Sequence, residues 1–352
     1  MGYKRVKGRK STPEEVAELH QGLKDAGLNN FDVMLSGYCP SAALVEQVGV
    51  IARERKLPAS TNPGSFFWIL DPVMGDNGRI YVAEDTVPAY KSLLRSADLI
   101  LPNQFEAELL SDVKIHDLTT MKQAIKKLHQ AHKVPHVLIT SVRLPPTTSN
   151  TPTSSSEDPS TSAKLSVIGS TATSDWTPRL FRITIPAFPV FFSGTGDMFA
   201  GILVARLRQA AQEAKVLNKP NWRSDDEVAG PDLPLAKATE KVLASMHAIL
   251  KDTAQHYQKA SQEFDVEIEQ ELNEGVGEET NEEKRVEKHL RLTRAAEIRV
   301  VRNADALRNP PDVENFKAQS VDVEDESDAD FRKPDELGVV RLGAGEGAIE
   351  QT

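Results

Sequence analysis

A single cysteine, Cys39, serves the whole 352-residue chain. Disulfides within the chain and zinc sites built on paired cysteines are thereby excluded, and a reducing compartment is expected, cytoplasmic or in addition nuclear. No window approaches the ~18 consecutive apolar residues of a membrane helix. The basic start MGYKRVKGRK runs into no apolar stretch, so neither a span nor a secretion signal is read. Positive charge is also short: 42 Lys and Arg stand against 52 Asp and Glu, a formal net charge of -10. That balance argues against general nucleic-acid binding, while a local positive pocket for a nucleotide remains open. The eight histidines are scattered; His129 and His132, three apart, have no third ligand in view and read as a solvated helix face. No GxxxxGK[ST] and no HRD or DFG set occurs, so the P-loop and protein-kinase routes to phosphoryl transfer are absent.

What is present centres on FPVFFSGTGDMFAGILV, residues 188–204. An apolar run through Val190, Phe191 and Phe192 ends at Ser193. Gly194-Thr195-Gly196 turns the chain, and Met198, Phe199, Ile202, Leu203 and Leu207 then recur at helical spacing. This reads as strand, glycine turn, helix. Glycines let a phosphate approach the backbone, and the free N–H groups of a first helical turn face it. Asp197 places a carboxylate where that phosphate would sit, which repels the ligand unless the acid has a task. Removing a hydroxyl proton beside an incoming phosphoryl group is such a task. Equally, Thr195 or Asp197 simply caps a helix after a turn.

Short apolar runs alternate with helical patterns along the chain. Residues 31–36 (FDVMLS), 66–70 (FFWIL), 98–101 (DLIL) and 136–140 (HVLIT) are the strand candidates. Helices are expected from Thr12 to Leu23, from Pro40 to Lys56, around Val87 to Ser96, and from Asn103, Leu118, Asp197 and Ala236 onward. Such alternation implies parallel βαβ units and an open sheet covered on both faces. Residues 145–163 are Ser, Thr or Pro at all but four positions and read as a mobile loop. The runs 165–168 and 180–185 read as antiparallel strands returning to the sheet. Residues 262–284 are strongly acidic and read as a solvated helix or disordered arm. Residues 290–301 are expected to pack back, and disorder is expected beyond Pro310. Gly343 to Gly347, a GxGxG, follows no strand and carries no weight. The domain reading is 1–254 as the globular unit, 255–310 as arm and extension, and 311–352 as tail.

Ligands of open α/β sheets bind beyond the carboxyl ends of the strands. Gly37-Tyr38, Asp71 with Asp76, Asn103 with Glu106, Thr140-Ser141 and the Gly194 turn should therefore share one edge. Asp71 and Asp76 suit magnesium, which takes one or two carboxylates together with phosphate oxygens. They also suit ordinary turns. Asn103 and Glu106 have the form of a capping box, which alone would account for both.

At these residues the sequence resembles the pyridoxal kinases of the ribokinase-like superfamily. The resemblance is carried by Asp71-Pro-Val-Met-Gly-Asp76, Tyr81-Val-Ala-Glu84, Pro102-Asn-Gln-Phe-Glu-Ala-Glu-Leu-Leu110, Ile139-Thr-Ser141 and Gly194-Thr-Gly-Asp197, from about Gly2 to about Leu250. Residues 290–308 resemble the extension of fungal members. The resemblance implies a three-layer αβα sandwich with a mostly parallel central sheet. It implies ATP-dependent phosphorylation of the 5′-hydroxymethyl group of pyridoxal, pyridoxine or pyridoxamine, with magnesium and a monovalent cation such as potassium. Asp197 would be the base and Gly194, Thr195 and Gly196 would stabilise the transferring phosphoryl. Asp76, Glu106 and Asp71 would serve the metal. Asn103, Thr140, Ser141 and Tyr81 would contact the nucleotide, and Tyr38 the vitamin ring. A homodimer is also implied. Leu101 stands where some members carry a threonine. The chain opens where the family is already about 45 residues into its fold, so the first central strand is expected to be missing and the natural protein to be longer. Two rival readings stay open: another ribokinase-like alcohol kinase, such as a hydroxymethylpyrimidine kinase, and an inactive nucleotide-binding fragment.

Overall fold

Strands that are apolar on every residue must be covered on both sides, and that requirement builds this molecule. The structure, a computed structural model, describes residues 7–143, 164–274 and 281–321. Strand β1 (Val33–Ser36) is followed by β2 (Phe67–Leu70), a small hairpin of β3 (Gly75–Asp76) and β4 (Arg79–Ile80), β5 (Leu99–Ile100), β6 (His136–Val142), β7 (Lys164–Ala172), β8 (Pro178–Pro186) and β9 (Gln319–Ser320). The main sheet has the order β1-β2-β5-β6-β7-β8-β9. The first four of these strands are mutually parallel and the last three join antiparallel.

Alternation along β2 sends its side chains to opposite layers. Trp68 and Leu70 enter one core with Ile100, Val137 and Ile139, roofed by helices α2 (Ala42–Ala59), α3 (Thr86–Leu93), α4 (Gln104–Ser111) and α5 (Leu118–Gln130). Phe67 and Ile69 enter the other with Leu99, Leu138 and Phe181, roofed by α6 (Thr195–Glu213) and α7 (Pro234–Glu274). Each such fully buried side chain contributes about 1.5–3 kcal/mol. The expected three-layer αβα arrangement with a mostly parallel sheet is therefore present. Helix α1 (Pro13–Asp25) begins with a capping box between Thr12 and Glu15.

Two buried polar networks tie the layers together. Asp98, 1% exposed, accepts from Trp68 N at 2.7 Å and from Lys56 Nζ at 2.8 Å. His129 and His136 lie beneath β7. The first contacts Val134 O at 2.6 Å and Ser170 Oγ at 2.9 Å; the second contacts Thr171 Oγ1 at 2.8 Å and Asn221 O at 2.7 Å.

Several expectations need correction. Residues 187–194 are not a strand: β8 stops at Pro186, and Phe191 is 72% exposed. His129 does not lie on a solvated face but is fully buried. The glycine-bearing loop after β2 contains the β3–β4 hairpin. The boundary placed at residue 254 falls inside α7, which runs on to Glu274, and α8 (Asn281–Ala295) folds back on it through Lys288–Asp265 and Arg291–Glu267 ion pairs. The disorder expected beyond Pro310 does not begin there, since Phe316 is buried and β9 extends the sheet as far as Ser320. The described residues up to Val321 belong to one compact unit. The Ser/Thr-rich stretch 145–163, the motif at 343–347 and most of the expected tail lie outside the described residues. Among the described residues no helix is long and apolar enough to cross a membrane.

Candidate active site

The carboxyl ends of β1, β2, β5 and β6 end in register, which gathers the polar clusters on one edge. Asp71 N donates to Ser36 O at 2.8 Å, Leu101 N to Leu70 O at 3.0 Å, and Thr140 N to Pro102 O at 3.0 Å. Asn103 and Thr140 form an isolated parallel bridge. The pairing of β6 with β7 shifts register between Ile139 and Val142, and Ser141 takes a left-handed φ of 55°. This bulge presents Thr140 and Ser141 at the edge. Leu101 is buried among apolar neighbours and offers the site nothing polar.

Glu106 has a different part from that expected of a metal ligand. It is 3% exposed, and its Oε1 accepts Met74 N at 2.8 Å and Gly75 N at 3.3 Å, while Oε2 accepts Asn103 N at 2.9 Å. Asn103 Oδ1 accepts Glu106 N at 2.9 Å, which completes the capping box, and Asn103 Nδ2 donates to Gly75 O at 2.7 Å. The pair thus clamps the loop that carries Asp76. Burial pushes Glu106 up to about 7 although those three N–H bonds pull the other way. Among the described residues no three His, Cys, Asp or Glu side chains are gathered as a ready metal cage.

Asp71 is 9% exposed, and its carboxylate receives no hydrogen bond from a described residue. Burial first, then the Glu106 and Asp197 carboxylates, push it up to about 8. Asp197 thus lies within electrostatic reach of Asp71. Asp76 is exposed, and its carboxylate accepts from Asn77 N at 2.8 Å and Asn77 Nδ2 at 2.9 Å. Tyr81, half exposed, is raised to about 12 by its partial burial and by Glu106, Asp76 and Asp71, with Tyr38 adding to it. Tyr38 is 50% exposed just past β1.

Gly194 caps α6 with φ of 83°, a conformation open to glycine and costly for other residues. The N–H groups of Thr195, Gly196 and Asp197 donate to no described residue, and a Cβ added at Gly194 or Gly196 would meet nothing within 4 Å. The turn offers free N–H groups in open space, an arrangement that can hold an anion, with Asp197 exposed in its first helical turn.

Next to it lies a feature not read from the sequence. A cavity of about 490 Å³ is lined by Pro186, Ala244, His247, Lys251, Asp312 and Phe316. Phe188 packs on His247 at 5.3 Å and on Phe192 at 6.0 Å, and His247 meets Phe316 at 5.5 Å. The helical spacing of Ala244, His247, Ala248 and Lys251 was the available signal. Phe316 was hidden by the expectation of a disordered tail.

With that geometry in place, known proteins can be set beside it. The family model described as phosphomethylpyrimidine kinase matches residues 47–171. Human pyridoxal kinase is 31% identical over 265 residues, covering 72% of each chain. The pig enzyme is 33% identical over 264 residues, 72% of this chain and 70% of that one. The chain belongs to the pyridoxal kinase family. Its fold agrees: the structure of pyridoxal kinase from Leishmania donovani in complex with ADP and pyridoxamine aligns with a TM-score of 0.62 at 25% identity, covering 90% of this chain and 83% of that one. This kinase thus has the ribokinase-like α/β fold.

Proposed function

We propose that this kinase transfers the γ-phosphoryl group of ATP to the 5′-hydroxymethyl group of pyridoxal, pyridoxine or pyridoxamine. The observation that carries the mechanism is Asp197, an exposed carboxylate inside an otherwise open cradle of free N–H groups. Its carboxylate takes the hydroxyl proton as the oxygen attacks phosphorus. The Thr195, Gly196 and Asp197 amides receive the charge that spreads over the phosphoryl oxygens. Thr140 and Ser141, presented by the β6 bulge, and Asn103 bind the nucleotide phosphates. The base lies in the cavity beside Phe188 and His247. Tyr38 covers the vitamin ring and Tyr81 stands over the phosphates.

Magnesium fits the donors present. Asp71 is a buried carboxylate without a hydrogen-bond donor, and two further carboxylates raise it, so a cation relieves that repulsion. Asp76 and Asp71 would hold it, and Glu106 only through water, because both its oxygens are engaged. When bound, the ion neutralises charge on the β- and γ-phosphates. The monovalent cation and the homodimer are carried by the family resemblance. A reducing compartment is part of the same proposal and rests on the single cysteine of the sequence.

The test is pyridoxal 5′-phosphate formation by the purified chain with ATP, magnesium, potassium and pyridoxal. Asp197→Asn should cut turnover by about 10²–10⁴-fold with ADP affinity little changed. Survival of turnover would remove Asp197 as base. The match to the phosphomethylpyrimidine kinase family model favours one second reading, a hydroxymethylpyrimidine acceptor. Offering both alcohols in one assay separates the two.

A further inference from the structure

Further along α7, sharing Asp252 and Gln255 with the cavity beside His247, a cavity of about 900 Å³ opens where α8 and the turn after it fold back on the helix. Its walls are predominantly cationic in a chain that is net acidic: Lys259, Arg291, Arg294, Arg299 and Arg302 face Asp252, Glu263 and Glu297. The acids are already engaged. Arg299 Nε lies 3.1 Å from Asp252 Oδ2, and Arg291 Nη2 is 3.0 Å from Glu267 Oε1 outside the cavity. Glu263 stands 3.9 Å from Arg291 and 3.8 Å from Lys259, and Glu297 has a partner of its own. The guanidinium groups of Arg294 and Arg302, both exposed, form no ion pair or hydrogen bond with any described residue. Two unpaired guanidiniums therefore line one cavity. The Nε of Arg299 is in addition buried without an aligned acceptor.

The floor between these groups is apolar. Ala260 and Ala295 are buried at 8% and 5% exposure, and Ile298 and Val300 complete it. Guanidinium groups over an apolar floor select an anion that carries a carbon body, since the planar forks grip phosphate oxygens and the floor removes apolar surface from water. We infer that the junction of α7 and α8 is a second ligand site, adjoining the cavity beside His247 and distinct from it, for a small phosphate ester with an apolar body, held by Arg294 and Arg302.

The test reads binding, so it stands or falls apart from the kinase reading. The full chain is saturated with magnesium ADP and pyridoxine, and phenyl phosphate is titrated calorimetrically; the same titration is run without those ligands. One further molecule should bind in both cases, and Arg294→Gln with Arg302→Gln should weaken it at least tenfold while ADP affinity stays the same. Inorganic phosphate should bind more weakly than phenyl phosphate, because it lacks the body that covers Ala260 and Ala295. No saturable binding, or binding indifferent to the double substitution, overturns the inference. Equal affinity for the two probes overturns the part assigned to the apolar floor.

Discussion

Asn103 and Glu106 hold each other at the start of α4: each side chain accepts the other's backbone N–H at 2.9 Å. From that locked position both reach the loop before Asp76, Glu106 through Met74 N and Gly75 N and Asn103 through Gly75 O. A capping box and a site-forming clamp are here the same four residues of chain. A carboxylate with three N–H partners and almost no exposure is a structural anchor first.

Glu106→Gln should therefore damage the fold before it damages metal binding. An amide has one oxygen where the carboxylate has two, so at least one buried N–H loses its acceptor, at a cost of about 1–3 kcal/mol. A lowered Tm in metal-free buffer, measured by calorimetry, checks this. An unchanged Tm with lost magnesium response would make Glu106 a direct ligand instead.

Asp71 should behave in the opposite sense. Its folded value near 8 lies above the unfolded 3.8, so its contribution to stability is full at low pH and is lost as pH rises through the folded value. Asp71→Asn should raise the metal-free Tm at pH 8 by at least about 3 °C and do little at pH 4, while abolishing turnover. In the native chain the thermal shift produced by magnesium should grow from pH 6 to pH 8.5, because the carboxylates must ionise to bind. A shift that is flat across that range would detach the metal from Asp71.

The buried histidines set the acid limit. Burial holds His129 and His136 down to about 4 despite their carbonyl partners. Their folded values lie below the ordinary 6.5, so the unfolded chain binds more protons as pH falls from 6.5 to 4 and stability is lost across that window. Each histidine costs about 1.4 kcal/mol per pH unit there. A double replacement by glutamine should flatten the fall of unfolding free energy between pH 6.5 and 4.5, even where stability at pH 7 is lower. A fall as steep as that of the native chain would place the acid sensitivity elsewhere.

Much of this was legible in residues alone. The parallel strands could be read because each is apolar at consecutive positions, as Phe67 to Leu70 are, and the strand-end rule then brought Asp71, Asn103 and Thr140 to one edge, whereas for Gly194 the rule had no strand to rest on. The aromatic segment before Gly194 misled, since Phe191 and Phe192 are apolar like a strand yet belong to no strand of the described residues beyond Pro186. Composition also misled at the C-terminal side. The acidic residues 263–267 look solvated in isolation, but they meet Lys288 and Arg291 of α8 across an antiparallel pair. Such a partner cannot be read from a local window. Phe316 illustrates the same limit, because one buried ring and two residues of β9 anchor a segment that is otherwise polar.

Two glycines at the site should separate along these lines. Gly75 has no room: a Cβ there would fall 2.3 Å from Arg79 O and 2.8 Å from the Phe105 ring. Gly75→Ala must push the β3–β4 hairpin apart and break the hydrogen bonds to Glu106 and Asn103, at a cost of about 1–3 kcal/mol. Gly196 has open space, and alanine is the better helix former by up to about 1 kcal/mol. Gly196→Ala should therefore leave Tm unchanged or raised. The same methyl group, however, stands in the cradle where a phosphate must come close to the N–H groups, so it should weaken ADP binding and turnover. Thermal unfolding and ADP titration of both variants decide the matter. If Gly196→Ala binds and turns over normally, the cradle is not where the phosphoryl group sits, and the anion must be held by Thr140, Ser141 and Asn103 alone.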